Sequence, residues 1–148
     1  MSEDGEKRLG RGDFRHFRAV PTRWEDSDAY GHVNNVVYYS YFDTAVTAHL
    51  CESGVLDYRS QPIYGIVVET QCRYMKELTF PEVVDVGIRI TRLGRSSASY
   101  EVAIFKAGED APAAVGRFTH VYVNRGDHRP VPIPDAVRAV LSPLVADS

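Results

Sequence analysis

The segment from Val36 to Glu52 constrains the fold most, because it lacks glycine and proline and its apolar residues recur at helical spacing. The apolar stripe comprises Tyr38, Tyr41, Phe42, Ala45 and Ala48. A stripe this wide and aromatic predicts one long helix packed against a large apolar surface. Asn34 and Asn35 are good N-cap residues, and Gly54 stands where a left-handed C-terminal cap is expected.

Runs in which apolar and polar residues alternate follow this helix and predict half-buried strands. The runs are 68–74, 84–91, 100–105 and 117–123. A weaker first strand is predicted over 14–24, where Pro21 interrupts it, and a short last helix over Ala136–Leu141, with Asp135 as a possible cap. This order predicts an α+β fold in which the long helix covers the apolar face of an antiparallel sheet.

Composition narrows the class of protein. The 148 residues suggest one domain, and a hydrophobic fraction of 44% is globular rather than disordered. A net charge of −3 does not favour nucleic-acid binding, and no apolar run approaches the ~20 residues of a membrane span. We predict a disordered tail over 1–12 and a single domain over 13–148. With no secretory signal visible, the expected location is cytoplasmic, and Cys51 and Cys72 are predicted to be buried small hydrophobes.

The segment Trp24–Asn35 is where we expect the chemistry. It ends a strand-like run with the acids Asp26 and Asp28, turns at Gly31 and enters the long helix. A carboxylate in this position can lie beside the helix N-terminus, whose unpaired N–H groups favour negative charge. Acyl transfer needs this pairing, because one group delivers or activates the nucleophile and the other stabilises the developing oxyanion.

The run Arg23–Tyr38 resembles the signature of the 4-hydroxybenzoyl-CoA thioesterase-like hotdog proteins. More narrowly, it is similar to bacterial acyl-CoA thioesterases whose motif carries Gly-His-Val-Asn-Asn. The resemblance continues at Cys72–Lys76 and Arg92–Tyr100 and covers roughly residues 15–125. It implies the hotdog fold, in which a five-stranded antiparallel sheet of non-sequential strand order wraps around one long helix. It also implies a homodimer or homotetramer with each active site at a subunit interface.

The same resemblance implies roles for individual residues. Asp28 matches the catalytic carboxylate, which attacks the thioester carbonyl or activates a water. The backbone N–H of Asn35 would polarise the thioester oxygen, and Tyr38 would line the acyl pocket. Some family members carry His or Tyr at position 35, and the amide of Asn35 cannot replace either as a general acid.

Several other residues offer alternatives. Asp26 is expected to bond the turn backbone, whereas His32 is either a base or a backbone hydrogen-bond partner. Three ligands from Asp26, Asp28 and His32 make a weak metal site, because no further cluster supports them. Asp43 is the rival carboxylate, since a second branch of hotdog thioesterases uses an acid on the long helix. Glu69 is expected to be a solvated strand residue.

A strand-joining turn formed by Arg92, Arg95, Ser96 and Ser97 offers cationic and hydroxyl donors for the phosphates of CoA. An ordinary solvated hairpin is the alternative interpretation. The predicted substrate-binding residues are Gly31, His32, Tyr38, Arg95, Ser96 and Ser97.

The leading functional hypothesis is hydrolysis of an acyl-CoA thioester to a free acid and CoA, without a metal or other cofactor. A non-catalytic acyl-CoA sensor on the same fold is a second hypothesis. A hydratase or dehydratase that pairs an acid with His32 is a third. The expected partners are the acyl-CoA substrate and further copies of the chain, with neither nucleic acid nor a membrane. Acyl chain type and the choice between CoA and acyl carrier protein stay open.

Overall fold

A computed structural model describes residues 9–57 and 59–146, and its secondary structure has the predicted α+β order. The strands are β1 (His16–Pro21), β2 (Ile63–Tyr74), β3 (Val83–Leu93), β4 (Ser97–Lys106) and β5 (Ala114–Asn124). The helices are α1 (Val37–Glu52), between β1 and β2, and α2 (Asp135–Leu141), after β5. The strands form one antiparallel sheet in the order β1-β3-β4-β5-β2, with α1 against one face. This arrangement is the hotdog fold that the resemblance implies.

The core lies between α1 and the sheet. Tyr38, Tyr41, Phe42 and Ala45 of the predicted stripe are buried, whereas Ala48 is half-buried at its margin. The sheet contributes a second set of fully buried apolar side chains, among them Val84, Val86, Ile88, Ile90 and Ile104. Alternation along β3 and β4 places these residues on the face that α1 covers, so periodicity alone identified much of the core.

The start of α1 differs from the prediction. The N-cap is Val36, whose backbone is already helical, and no side chain caps the helix there. Asn34 instead forms a turn one step earlier, in which its Oδ1 accepts the N–H of Val36 at 3.0 Å. The predicted N-cap role of Asn34 and Asn35 is therefore wrong, because this turn uses the asparagine side chain before the helix begins.

The end of α1 agrees with the prediction. Gly54 has a φ of 79° and donates its N–H to the carbonyl of Cys51, while Val55 donates to the carbonyl of Leu50. These two bonds complete a Schellman motif, for which glycine at a positive φ is the favoured residue.

Strand β2 shows the largest departure from the alternation read in the sequence. It begins at Ile63 rather than near Val68, and a β-bulge between Val67 and Glu69 leaves Val68 without an opposite residue. Both valines are exposed, because β2 is an edge strand that α1 covers only in part. Glu69 is exposed, as predicted.

Smaller corrections concern the ends of elements and the cysteines. Strand β1 is shorter than predicted and ends at Pro21. Asp135 is the first residue of α2, whose N-cap is Pro134, so Asp135 does not cap the helix. Cys51 is exposed on the last turn of α1 and Cys72 is half-buried on the edge strand, so neither is the buried hydrophobe predicted.

Part of the predicted N-terminal tail is held against the sheet. Residues 1–8 lie outside the described residues, but Arg11–Asp13 form a short 3-10 helix. The Arg11 guanidinium binds the Asp85 carboxylate at 2.9 Å and donates to the carbonyl of Glu109 at 2.6 Å. These bonds attach Arg11 to the outer face of the sheet.

Candidate active site

Asp28 lies in a tight turn between a 3-10 helix, Trp24–Asp26, and α1. Its Oδ1 accepts the backbone N–H of Tyr30 at 2.9 Å and, more weakly, that of His32 at 3.4 Å. The turn closes through the N–H of Asp28 on the carbonyl of His32 and through Gly31, whose φ is 85°. Oδ2 makes no hydrogen bond within residues 9–57 and 59–146, so one carboxylate oxygen is oriented while the other is open.

The backbone around Asn35 leaves one amide available. The N–H of Asn34 donates to the carbonyl of Asp26, and the N–H of Val36 donates to the Asn34 side chain. The N–H of Asn35 has no hydrogen-bond partner in the described part of the chain. An unpaired amide at a helix N-terminus is suited to stabilise a developing negative charge.

Asp28 and Asn35 face one cleft of about 360 Å³ at the end of β2. Its other lining residues include Tyr30, His32, Tyr38, Tyr74, Met75 and Lys76. The structure therefore brings together the carboxylate and the amide that the sequence singled out. Gly31 shapes the turn behind Asp28 but does not line this cleft.

Asp26 stabilises the same turn through contacts of its buried side chain. Its side chain is only 2% exposed, accepts the hydroxyl of Tyr41 at 2.7 Å and forms an ion pair with the Arg23 guanidinium at 3.0 Å. Although burial acts to raise the pKa of Asp26, hydrogen bonds from Tyr41 and Arg23 hold that pKa below its ordinary value. Asp26 is thus a bonded turn residue, as the sequence predicted.

The imidazole of His32 turns away from Asp28. Its Nε2 lies 2.9 Å from the Glu77 carboxylate, and only its backbone N–H reaches Asp28. His32 lines the cleft, so a substrate can contact it, but it does not form a hydrogen-bonded base with Asp28.

Comparison with known proteins identifies the family. The profile described as the thioesterase-like superfamily matches residues 22–141, which include the whole candidate site and most of the sheet. The chain belongs to the thioesterase-like superfamily. Thioester hydrolysis is therefore the general chemistry that its family membership supports.

Solved structures of similar proteins agree with this membership. PA5185 of Pseudomonas aeruginosa is 44% identical, with a TM-score of 0.92 over 96% of this chain and 99% of its own. PA2801 of the same organism, named as a candidate thioesterase, is 32% identical, with a TM-score of 0.79 over 85% of this chain and 97% of its own. BH1999, a gentisyl-coenzyme A thioesterase, is 26% identical, with a TM-score of 0.75 over 85% and 99%.

Tyr74 lines the candidate site of this thioesterase-like chain, and the sequence did not single it out. Its hydroxyl donates to the carbonyl of Asn35 at 2.9 Å, and its ring meets that of Tyr38 edge-on at 4.9 Å. Burial raises the pKa of both tyrosines, so both stay protonated near neutral pH. Tyr74 ties the end of β2 to the start of α1, a contact that strand alternation does not reveal.

The turn that was predicted to bind the phosphates of CoA lies elsewhere in the protomer. Ser97 begins β4 and Arg95 and Ser96 precede it, whereas the Asp28 cleft adjoins the opposite end of the sheet. The seven steps along β4 from Ser97 to Ile104 span about 23 Å at ~3.3 Å per residue. The structure therefore does not bring this turn to Asp28 within one protomer.

The rival carboxylate, Asp43, is exposed on α1 and lines a different cavity from Asp28. Among the described residues no group of three or more His, Cys, Asp or Glu side chains could hold a metal ion. Over the same residues, no helix is long and apolar enough to cross a membrane.

Proposed function

We propose that this protein hydrolyses an acyl-CoA thioester to the free carboxylic acid and CoA. The observation that carries the proposal is that Asp28, with an open Oδ2, and Asn35, with an unpartnered N–H in the described part of the chain, line one cleft. Membership of the thioesterase-like superfamily supports the reaction type, and the CoA thioesterase BH1999 supports the carrier.

The proposed step begins with the thioester oxygen at the N–H of Asn35. Oδ2 of Asp28 attacks the carbonyl carbon, or removes a proton from a water that attacks it. The carbonyl oxygen becomes negative in the tetrahedral intermediate, where the Asn35 amide stabilises it. Collapse breaks the carbon–sulfur bond and releases CoA as a thiolate that takes up a proton. In the nucleophilic route, water then hydrolyses the mixed anhydride at Asp28. No metal or redox cofactor takes part.

Residues 31–35 retain the Gly-His-Val-Asn-Asn sequence, so we assign the protein to the bacterial acyl-CoA thioesterase branch with that motif. Tyr38 and Tyr74 supply an apolar wall beside the Asn35 carbonyl, where the acyl group enters. His32, engaged by Glu77, would contact substrate without acting as the base.

The proposal includes a second copy of the chain. Strand β2 is an edge with the exposed valines Val67 and Val68, and antiparallel pairing of two such edges would bury them. In that pairing, the Tyr74 end of one β2 meets the Ile63 end of the other, on the side where Arg95, Ser96 and Ser97 lie. A homodimer, or a homotetramer built from it, would thereby bring the phosphate-binding turn proposed for one copy nearer to Asp28 of the other.

A thiol-release assay over a panel of acyl-CoA thioesters tests the function. The native chain should release CoA, and Asp28→Asn should lower kcat by about 10²–10⁴-fold, because the amide neither attacks nor accepts a proton. Glu25→Gln is the matched control, since Glu25 is an exposed acid in the same segment, and it should keep native activity.

Other outcomes would change the assignment. Unchanged release in Asp28→Asn, together with loss in Asp43→Asn, would move the catalytic carboxylate to the long helix. Tight acyl-CoA binding without release by the native chain would replace hydrolysis with sensing.

A further inference from the structure

A second cavity, of about 310 Å³, lies between the second half of α1 and strands β2 and β5. Leu50, Val67 and Val137 give it a largely apolar wall, and Asp43 and His120 supply polar groups. It shares no lining residue with the Asp28 cleft. Cavities of this size and character are suited to small ligands that one or two polar groups orient.

His120 is a buried imidazole that the proposed hydrolysis does not use. The side chain is 8% exposed, and its ring lies 5.4 Å from the Tyr100 ring and 5.1 Å from the Phe118 ring. Burial lowers the pKa of His120, an effect that the nearby charge of Asp43 opposes in part. The ring is therefore neutral near pH 7 and carries one proton on one nitrogen.

The surroundings of the ring decide which nitrogen carries that proton. Nδ1 is enclosed and has no hydrogen-bond partner among the described residues. It packs against Gly65, where an added Cβ would come within 3.4 Å of Nδ1. A buried N–H without an acceptor costs more than a weak acceptor left unpaired, so the proton belongs on Nε2. His120 thus offers the cavity a hydrogen-bond donor.

Asp43 offers the complementary acceptor. Its Oδ1 is 3.5 Å from the Thr47 hydroxyl, which leaves the rest of the carboxylate to the cavity. Arg125, the cation among the described lining residues, is already engaged, because it donates to the carbonyl of Gln61 at 2.7 Å and lies 4.9 Å from the centre of the Tyr64 ring. The Asp43 carboxylate would repel an anionic ligand, and a ketone has no hydrogen-bond donor for that carboxylate. A hydroxyl group accepts from His120 and donates to Asp43, which satisfies both.

We propose that this cavity binds a largely apolar group that carries a hydroxyl, with the hydroxyl oxygen placed between Nε2 of His120 and the carboxylate of Asp43. A free hydroxylated molecule and the hydroxylated acyl group of a thioester share this chemistry. Only the second source rests on the proposed function.

Binding is tested with 4-propylphenol, its methyl ether 4-propylanisole and propylbenzene, titrated into Asp28→Asn protein and followed by calorimetry and the His120 ring resonances. The phenol should bind at least about tenfold more tightly than propylbenzene, as expected for one or two hydrogen bonds, with the ether between them. His120→Phe should abolish the advantage of the ether over propylbenzene and reduce that of the phenol, while keeping the ring packing. Asp43→Ala should reduce the phenol to the affinity of the ether. Thr44→Ala, an exposed neighbour on α1, should change nothing.

Equal affinity for the three probes, no binding, or an advantage of the ether over propylbenzene that survives in His120→Phe would overturn the proposal. The source of the ligand is then found with native protein by comparing 4-hydroxyphenylacetyl-CoA and phenylacetyl-CoA. A lower KM for the hydroxylated thioester, with competitive inhibition by 4-propylphenol, assigns the cavity to the acyl group. Non-competitive modulation assigns it to a free ligand. If no thioester is hydrolysed but the preference for the phenol persists, the proposed hydrolysis is wrong and the proposed binding site for a hydroxylated group is retained.

Discussion

At the scale of single residues, the two acids of one turn have separate tasks. Asp26 is buried and both of its carboxylate oxygens accept hydrogen bonds, whereas Asp28 accepts hydrogen bonds within the turn through one oxygen and leaves the other open. The same residue type two positions apart is thus a structural anchor in one case and a candidate reactive group in the other. The difference follows from which side chains reach each carboxylate, above all Tyr41 and Arg23 at Asp26.

Tyr41→Phe should destabilise the protein by about 1–3 kcal/mol at pH 7, because it removes a hydrogen bond to a buried carboxylate. The pKa of Asp26 is lowered in the folded state, so its contribution is present above the unfolded pKa and is lost as pH falls through the folded pKa. The difference between variant and native protein should therefore shrink below about pH 4. Denaturant unfolding from pH 7 to pH 2 measures this, with Tyr30→Phe as an exposed control. A pH-independent difference would contradict the assigned bond.

At the scale of elements, the contact between α1 and the sheet depends on one missing side chain. Gly116 of β5 lies under the ring of Phe42, and a Cβ at this glycine would stand 2.2 Å from the ring. The large aromatic stripe of α1 fits the sheet because β5 provides this space. Helix and strand patterns describe each element separately and do not show that Phe42 and Gly116 face each other.

Gly116→Ala should destabilise the fold by about 1–3 kcal/mol or more, because the added methyl overlaps a ring enclosed by rigid core. Phe42→Leu in the same chain should recover part of that loss, since the smaller side chain vacates the space. A double-mutant cycle by chemical unfolding measures the coupling. Gly126→Ala, where nothing lies within 4 Å, serves as the control. Additive effects of the two core substitutions would exclude the contact.

At the scale of the whole molecule, the candidate functional groups lie at both ends of the sheet. The Asp28 cleft lies where β2 ends, and the turn with Arg95, Ser96 and Ser97 lies at the opposite end. The edge of β2 connects the two regions along the outside of the protomer. Pairing of two such edges in opposite directions is the simplest assembly that would place both regions around one substrate.

Val68→Lys should convert the proposed oligomer to monomers and lower hydrolysis of CoA thioesters, because a charge on the exposed edge opposes strand pairing. Light scattering with size exclusion measures the assembly, and the thiol-release assay measures activity. Val83→Lys is matched to it, since Val83 is 48% exposed against 56% for Val68 but lies on β3, which is paired on both sides. A native chain that is monomeric and fully active would rule out the shared site.

Local sequence patterns were sufficient to predict most of the secondary structure of this protein. The 3.6-residue and two-residue periods identified α1 and most of the strands, and Gly54 identified the end of α1, whereas the roles of Asp28 and Asn35 came from the family resemblance of their segment. These features depend on neighbours within a few residues, where backbone geometry alone relates sequence to structure.

Tertiary structure decided what lies between distant segments. It placed Tyr74 on the carbonyl of Asn35, Phe42 over Gly116, and Asp43 beside the cavity that His120 lines. It also set the strand order, left β2 at an edge and separated the Arg95 turn from the Asp28 cleft within the protomer. The physical reason is that side-chain direction follows from local backbone geometry, whereas contact between two segments depends on how every intervening element packs.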